Sequence, residues 1–239
     1  LVKRLLNFWA QEYKVDGFRF DLAKGFTQTV SNTTTVENYD ASRVANLKRY
    51  YDTVIQNFPA EYMILEFLGT TPAQEEQEYT AYGWMVWGNS NASYNQCTMG
   101  YTSNSDIRAM VYNSPLRNFT NPGVVGYSQS HDEERTMYKN LQFGNVAGSY
   151  NVKNLPTALR QEEAAASVIF TIPGPKMIWQ SQERGYDSSI NANGGRLANK
   201  PPLWHYMNDV NRKALYDAYA SMIQFRLANP AIFNNTSFT

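Results

Sequence analysis

The chain has 239 residues, of which 43% are hydrophobic, enough to bury one substantial core. Its 21 basic and 21 acidic side chains cancel, and no block of basic residues indicates a nucleic acid or an anionic membrane as partner. A single cysteine, Cys97, excludes an internal disulfide framework, two histidines exclude a histidine-rich metal site, and no segment approaches the roughly 18 apolar residues of a membrane span.

The first quarter of the chain predicts two helices and two strands. Apolar residues at helical spacing predict an amphipathic helix over 1–13 and a second one over 42–58, which a proline helps to end. Between them, 15–20 predicts a strand that is followed by a polar loop rich in threonine and asparagine. The run YMILEF at 62–67 is nearly continuously apolar, as is typical of a buried parallel strand.

The remaining chain predicts three strands and two helices. Strands are predicted over 84–89, over 124–132 after the turn NPG, and over 174–183 after a Pro-Gly break. Helical spacing predicts helices over 155–172 and over about 212–227, the latter stopped by an Asn-Pro pair.

Strands that alternate with helices and are almost continuously apolar indicate a parallel sheet with helices outside. Five such strands fit either an open doubly wound sheet or part of a barrel, and periodicity alone leaves both open. The acidic run EEQE at 75–78 is expected to be a solvated helix face.

Polar side chains gather at the C-terminal ends of the predicted strands. Four of the five strands end in polar residues: Asp21, Glu66, His131 with Asp132, and Gln182 with Glu183. In a (β/α)8 barrel, the C-terminal rim of the strands is where the chemistry is placed. We therefore expect Asp21, Glu66 and Asp132 to meet at one mouth.

Converging carboxylates without a histidine set for metal binding point to glycoside chemistry. A glycosidic bond needs one acid to protonate the leaving oxygen and a second carboxylate to meet the developing oxocarbenium charge. Crowding such carboxylates in a partly dry site keeps one protonated and another ionised. Arg19 lies two residues before Asp21, on the same face of the strand, and is expected to hold that carboxylate as a nucleophile.

These segments resemble the α-amylase family of glycoside hydrolases (family 13). GFRFD at 17–21, MILEF at 63–67, SQSHD at 128–132 and GPKMIWQSQERGYD at 174–187 are similar to its signature regions at strands 4, 5, 7 and 8, in that order. Other stretches, including SHDEERTMYKN, are similar to a subgroup associated with Bacteroides-type bacteria. The likeness extends over nearly all of the chain.

The resemblance implies a role for each matching residue. Asp21 would be the nucleophile, Glu66 the general acid/base and Asp132 the transition-state stabiliser, with Arg19 and His131 as their partners. The implied reaction is retaining cleavage of α-1,4-glucosidic bonds in starch-type glucans, which needs no cofactor. Calcium is common in the family as a structural ion, but the sequence names no ligands for it.

Further substrate contacts are predicted with less support from the motifs. Four aromatic side chains are candidates to stack on glucose rings: Trp84, Trp87, Tyr94 and Trp179. Lys24 lies where the family often places a Lys-His pair at an acceptor subsite. Gly25 replaces that histidine here, and Ser130 stands where asparagine commonly precedes His-Asp.

The resemblance also implies a partial (β/α)8 barrel, roughly strand 4 through helix 8. Residues 1–239 would be the C-terminal part of a catalytic domain, with strands 1–3 upstream and the family's C-terminal β-sandwich absent. The full-length parent is then expected to be active and the isolated segment weak or inactive. An extracytoplasmic location is a family expectation, and the oligomeric state stays open.

Two other functions are compatible with the sequence. The same three carboxylates serve a transglycosylase or branching enzyme, since only the acceptor differs. A non-catalytic starch-binding protein on a degenerate barrel would be expected to have lost one of the acids, and all three are present.

Overall fold

A computed structural model describes residues 1–69 and 74–234 and divides them into two compact units. Unit 1 holds residues 1–69, 74–88 and 112–125, and unit 2 holds residues 89–111 and 126–234. Over these described residues, no helix combines the length and the apolar character that crossing a membrane requires.

Four parallel strands form the sheet, in the order in which they occur along the chain. They are β1 (Gly17–Phe20), β2 (Tyr62–Leu65), β3 (Met85–Asn89) and β4 (Val124–Tyr127). The pairing of β1 with β2 sets Phe20 opposite Leu65, so both strands end at the same level. This sheet confirms the parallel α/β fold and four of the predicted strands, with shorter bounds.

Gly17 shows why β1 can pair so closely with its neighbour. Its φ angle of 158° and a Cβ position only 2.2 Å from the backbone oxygen of Tyr62 leave no room for a side chain. A glycine is therefore required where β1 enters the sheet.

The predicted fifth strand, 174–183, is wrong in extent. Only a parallel bridge between Gly126 and Lys176 is formed, closed by the Gly126 N–H to Pro175 O bond of 3.0 Å and the Met177 N–H to Gly126 O bond of 3.1 Å. The residues that follow turn into a short 3-10 helix at Gln182–Arg184. Ser181, the residue before that helix, has a φ angle of 66°, which lies outside the extended region.

Unit 1 contains three helices: α1 (Val2–Tyr13), α2 (Ala41–Ile55) and α3 (Gln74–Tyr82). The first two confirm the helices predicted from apolar spacing. Helix α2 begins where the Asp40 carboxylate accepts hydrogen bonds from the N–H groups of Ser42 and Arg43, a typical N-cap. Burial acts to raise the pKa of Asp40, but hydrogen bonds from the side-chain hydroxyls of Ser42 and Thr27 outweigh it and lower that pKa.

Unit 2 contains the other helices: α4 (Asn91–Thr98), α5 (Thr136–Phe143), α6 (Leu155–Thr171), α7 (Val210–Ala228) and α8 (Pro230–Phe233). A short antiparallel hairpin pairs β5 (Val146–Ala147) with β6 (Tyr150–Asn151). Helices α6 and α7 were predicted. The shorter elements were not, because two to eight residues carry too few apolar repeats to show a period.

The acidic run at 75–78 is not a solvated face, which corrects that prediction. Glu75 and Glu76 on α3 are buried in unit 1. Arg43 donates from Nε to Glu75 at 2.7 Å and from Nη2 at 2.6 Å, and Arg117 donates from Nη1 to Glu76 at 2.6 Å. Each buried carboxylate thus has a guanidinium partner, and the one from Arg43 is bidentate. This pairing offsets the hydration that the carboxylate loses on burial.

The apolar cores follow the same division. In unit 1, side chains of α1 and α2 pack on the strands around Phe20, Leu47, Leu65 and Trp84. In unit 2, α5, α6 and α7 pack together around Met137, Leu159, Phe170, Leu215 and Tyr219.

Candidate active site

The ends of β1 and β2 carry two of the predicted catalytic acids. Asp21 directly follows Phe20, and Glu66 directly follows Leu65. The Glu66 N–H donates to Phe20 O at 3.0 Å, which continues the ladder just past the strands. Because parallel strands in register end together, two acids 45 positions apart in sequence stand at one edge of the sheet.

Arg19 bridges these two acids. Its Nη2 donates to Asp21 Oδ1 at 2.8 Å, and its Nη1 lies 3.0 Å from Glu66 Oε2. The first contact bears out the expectation that side chains two positions apart on a strand can meet. The second was not foreseen, since it depends on the register between β1 and β2.

Glu66 is more buried than Asp21. Only 11% of its side chain is exposed, compared with 71% for Asp21. The Leu22 N–H donates to Glu66 Oε2 at 2.8 Å, so two donors converge on that one oxygen. Among the described residues, Oε1 of Glu66 accepts no hydrogen bond from the protein.

Trp87 on β3 contacts Arg19 and does not present an open ring face to a sugar. The Arg19 guanidinium lies 4.7 Å from the centroid of its indole ring, and Trp87 is buried. This cation–π contact orients the guanidinium toward the strand ends. Sugar stacking on Trp87 is therefore not supported by the structure.

In unit 2, the loop after β4 carries His131 and Asp132. His131 Nε2 lies 3.3 Å from Asp132 Oδ1, and the Asp132 N–H donates to Ser130 Oγ at 3.1 Å. The predicted strand to residue 132 ends at Tyr127, so both residues stand on a loop. The His131 ring is 6.2 Å from that of Trp179, which is half-buried and is the one predicted aromatic with an accessible surface.

Arg196 is the arginine partner of Asp132 within unit 2, and the sequence did not indicate it. It pairs with Asp132 from a loop that contains two glycines with positive φ angles, Gly194 and Gly195. Lys200 holds this loop, since its ammonium donates to Gly195 O at 2.8 Å and to two other backbone carbonyls. No motif or periodicity marks such a loop contact.

Trp84 and Tyr94 belong to cores, which corrects their predicted stacking role. Each is only 1% exposed. Trp84 packs edge-on against Phe20, and the Tyr94 hydroxyl donates to Glu162 at 3.5 Å. A ring with both faces packed against protein cannot receive a sugar.

Lys24 is also committed elsewhere. Its ammonium pairs with Glu37 and lies 5.6 Å from the ring centroid of Phe67. The Lys24 side chain itself is mostly buried. The predicted acceptor-subsite role of Lys24 therefore has no support from its contacts.

Unit 2 also encloses a polar core, next to Tyr94. Glu162 on α6 is fully buried, and burial raises the pKa of its carboxyl to about 7, with hydrogen bonds from Thr136, Tyr94 and Asn140 acting in the opposite direction. Burial also raises the pKa of Tyr94 well above its ordinary value. The sequence does not mark this group, because a glutamate within an amphipathic helix predicts solvent contact.

Comparison with solved structures places this geometry in a known fold. A pullulanase from Bacillus acidopullulyticus matches 97% of this chain with a TM-score of 0.66 at 21% identity, over 28% of its own length. A PulA variant from Klebsiella pneumoniae, in complex with maltotriose, matches 97% with a TM-score of 0.66 at 14% identity, over 33% of its length. An α-amylase from H.orenii matches 98% with a TM-score of 0.61 at 16% identity, over 48% of its length.

The fold class predicted from the signature motifs is thus confirmed, as a partial (β/α)8 fold of parallel strands with outer helices. The chain spans between 28% and 48% of the length of these three structures. No protein-family model and no curated protein sequence matches it. At these identities the likeness establishes the fold, and the function is argued from the site.

Proposed function

We propose that this chain carries the catalytic carboxylates of a retaining glycoside hydrolase that cleaves α-1,4-glucosidic bonds in starch-type glucans. The observation that carries this proposal is the Arg19 guanidinium, which contacts Asp21 at 2.8 Å and Glu66 at 3.0 Å at the ends of adjacent strands. Two carboxylates on one fixed cation supply a nucleophile and a proton carrier within one small space.

In the first step, the Asp21 carboxylate attacks the anomeric carbon while the bond to the leaving oxygen breaks. Glu66 gives its proton to that oxygen, and a covalent β-glucosyl ester on Asp21 results. Because both protein donors bind Oε2 of Glu66, the transferred proton is assigned to Oε1. Arg19 keeps the nucleophile on the strand edge during attack.

In the second step, water replaces the leaving group. The Glu66 carboxylate takes a proton from water, the oxygen of that water attacks the anomeric carbon, and the bond to Asp21 breaks. Two inversions give net retention. Asp132 is proposed to stabilise the oxocarbenium-like transition state and His131 to bind substrate hydroxyls.

The proposal extends to the context of the chain. A longer protein containing residues 1–239 as the C-terminal part of its catalytic domain is proposed to be the active enzyme, in an extracytoplasmic location, with weak activity in the isolated chain. Calcium is proposed as a structural ion on the family resemblance alone, and no ligands are assigned to it.

The test is the Asp21→Asn substitution in the active protein, assayed on maltoheptaose. Loss of the nucleophile should lower kcat by about 10³-fold or more while maltoheptaose still binds. Asp16→Asn is the matched control, since Asp16 is an exposed aspartate at the opposite end of β1. Full activity in the Asp21→Asn variant would contradict the proposal.

Product analysis decides between hydrolysis and transfer. NMR of the products should show that the anomeric configuration is retained. Products longer than the substrate, or products with new linkages, would indicate a transglycosylase or branching enzyme. Binding of starch without turnover in the longer protein would favour the non-catalytic alternative.

A further inference from the structure

The residue that follows Asp21 has an uncommon backbone conformation. Leu22 lies in the left-handed region, with a φ angle of 45° and a ψ angle of 53°, although it is not a glycine. Its side chain is 70% exposed, so its own packing does not hold this conformation. A non-glycine residue keeps such a conformation only where the surrounding structure imposes it.

The left-handed turn directs two backbone N–H groups to Glu66. The Leu22 N–H donates to Glu66 Oε2 at 2.8 Å, and the next N–H, of Ala23, donates to Glu66 O at 3.0 Å. A short 3-10 helix follows, in which the Gly25 N–H donates to Leu22 O at 2.8 Å. The placement of the Glu66 carboxylate therefore depends on the conformation of this turn.

Arg43 on α2 holds the loop that contains the turn. Its Nη1 donates to Lys24 O at 3.1 Å and to Val36 O at 3.2 Å, and its Nη2 donates to Asn38 O at 2.9 Å. One buried guanidinium thus joins the beginning and the end of the loop between β1 and α2. If it were removed, three backbone carbonyls would lose this donor.

Glu75 on α3 fixes the guanidinium in turn. Arg43 donates to both oxygens of the Glu75 carboxylate, from Nε at 2.7 Å and from Nη2 at 2.6 Å. The same carboxylate accepts hydrogen bonds from the Tyr79 hydroxyl at 2.9 Å and from the Asp40 N–H at 2.7 Å. A bidentate pair has a fixed geometry, so the guanidinium cannot turn away from the loop carbonyls without leaving its partner.

The guanidinium also contacts the residue after Glu66. It lies 5.4 Å from the ring centroid of Phe67, which is buried. Arg43 therefore contacts the chain shortly after each acid, at Lys24 O and at Phe67. All of these residues lie within unit 1.

We infer that Arg43 is a positioning residue for the proposed reaction and acts through the loop that follows Asp21. It holds the turn in which the Leu22 N–H binds Glu66, and Glu75 holds Arg43 in place. This role rests on the proposed function, in which Glu66 is the general acid/base.

Kinetics with maltoheptaose test this role in the active protein. Arg43→Ala should lower kcat by about 10- to 100-fold and leave KM within about threefold, because the orientation of Glu66 matters when the bond breaks and not when the substrate binds. Arg43→Lys should restore part of the lost kcat, since an ammonium can pair with Glu75 but cannot contact three carbonyls as well. Val54→Ala is the matched control, because it removes buried apolar atoms from the other end of α2, and it should keep the wild-type kcat.

Amide hydrogen exchange tests the contact independently of the reaction. In Arg43→Ala, the N–H groups of Leu22 and Ala23 should exchange about tenfold faster relative to those of β2 than they do in the wild type. In Val54→Ala, this ratio should stay at the wild-type value. Circular dichroism checks folding, and Arg43→Lys takes the place of Arg43→Ala in both measurements if the alanine variant does not fold.

The inference is overturned by a wild-type kcat in the folded Arg43 variant, by an unchanged exchange ratio, or by an equal fall of kcat in Val54→Ala. Each of these results leaves the proposed function standing as long as the wild-type protein hydrolyses maltoheptaose. Faster exchange at Leu22 in a protein that never hydrolyses α-glucans would instead refute the proposed function, and the contact of Arg43 with the loop would be confirmed as purely structural.

Discussion

Unit 1 and unit 2 both bury glutamates on a helix, but they satisfy the carboxylates with different donors. In unit 1, Glu75 receives two bonds from Arg43, the Tyr79 hydroxyl at 2.9 Å and the Asp40 N–H at 2.7 Å. In unit 2, Glu162 receives only neutral donors, among them Asn140 at 3.1 Å.

Buried glutamates therefore have different kinds of partner in the two units. Glu75 has a positively charged partner in Arg43, whereas Glu162 has neutral donors, and burial raises the pKa of Glu162 to about 7 against their opposing effect. The candidate acids also differ, because Arg19 holds Asp21 and Glu66 from inside the sheet and Arg196 reaches Asp132 from a loop. The two arginines therefore contact the candidate acids from different kinds of element, a strand for Arg19 and a loop for Arg196.

The largest effect is expected from Arg19→Ala. Removing the cation that bridges Asp21 and Glu66 should lower kcat/KM by about 10³-fold or more, because both carboxylates lose their orienting donor. The kcat/KM of Arg19→Lys should lie between those of the wild type and Arg19→Ala, since one ammonium cannot contact both carboxylates as the guanidinium does. Circular dichroism checks that both variants fold, and an Arg19→Ala enzyme with wild-type kcat/KM would contradict the assigned bridge.

Arg43→Ala tests the buried pair of unit 1. Leaving Glu75 buried without its cation should cost about 3–5 kcal/mol in the free energy of unfolding, measured with urea. Lys213→Ala, which breaks an exposed pair with Asp217, should cost about 1 kcal/mol or less. Equal losses in the two variants would show that burial does not strengthen the dependence on the partner.

Glu162→Gln tests the neutral network of unit 2 through pH. The folded-state pKa is raised to about 7 from an ordinary value of 4.5, so the folded state binds the extra proton between these values. The contribution of this group is therefore fully present below pH 4.5 and is lost as the pH rises to about 7, by about 3 kcal/mol.

Urea unfolding at pH 5 and pH 8 measures this dependence. Glu162→Gln should remove most of the loss between the two pH values, because the amide does not ionise. Glu163→Gln, at the next and less buried position of α6, should keep the loss. The same pH dependence in both variants would place the titrating group elsewhere.

The smallest effect is expected from Arg196→Ala. The Arg196 side chain is 53% exposed, compared with 31% for Arg19, and it contacts one acid instead of two, so we expect kcat/KM to change by less than about tenfold. Parallel assays of the Arg19 and Arg196 variants then rank the two guanidiniums. A larger loss in Arg196→Ala than in Arg19→Ala would reverse the comparison.

Much of the fold was predictable because its signals are local. Apolar spacing located α1, α2, α6 and α7, and the strand predictions located β1 to β4, although the one for β4 extended five residues too far. Asp21 and Glu66 were recognisable as strand-end acids, since parallel strands bring their C-terminal ends to one edge. The contact of Arg19 with Asp21 followed from their spacing of two.

The sequence by itself determined the order of the elements and which acids close the strands, because both depend on neighbours within a few positions. Only the tertiary structure decided that Glu75 and Glu162 are buried, that Trp84 and Tyr94 fill cores, and that Trp204 stays exposed. Burial depends on which surfaces, distant in sequence, pack together. Side chains of one type can therefore be buried at one position and exposed at another.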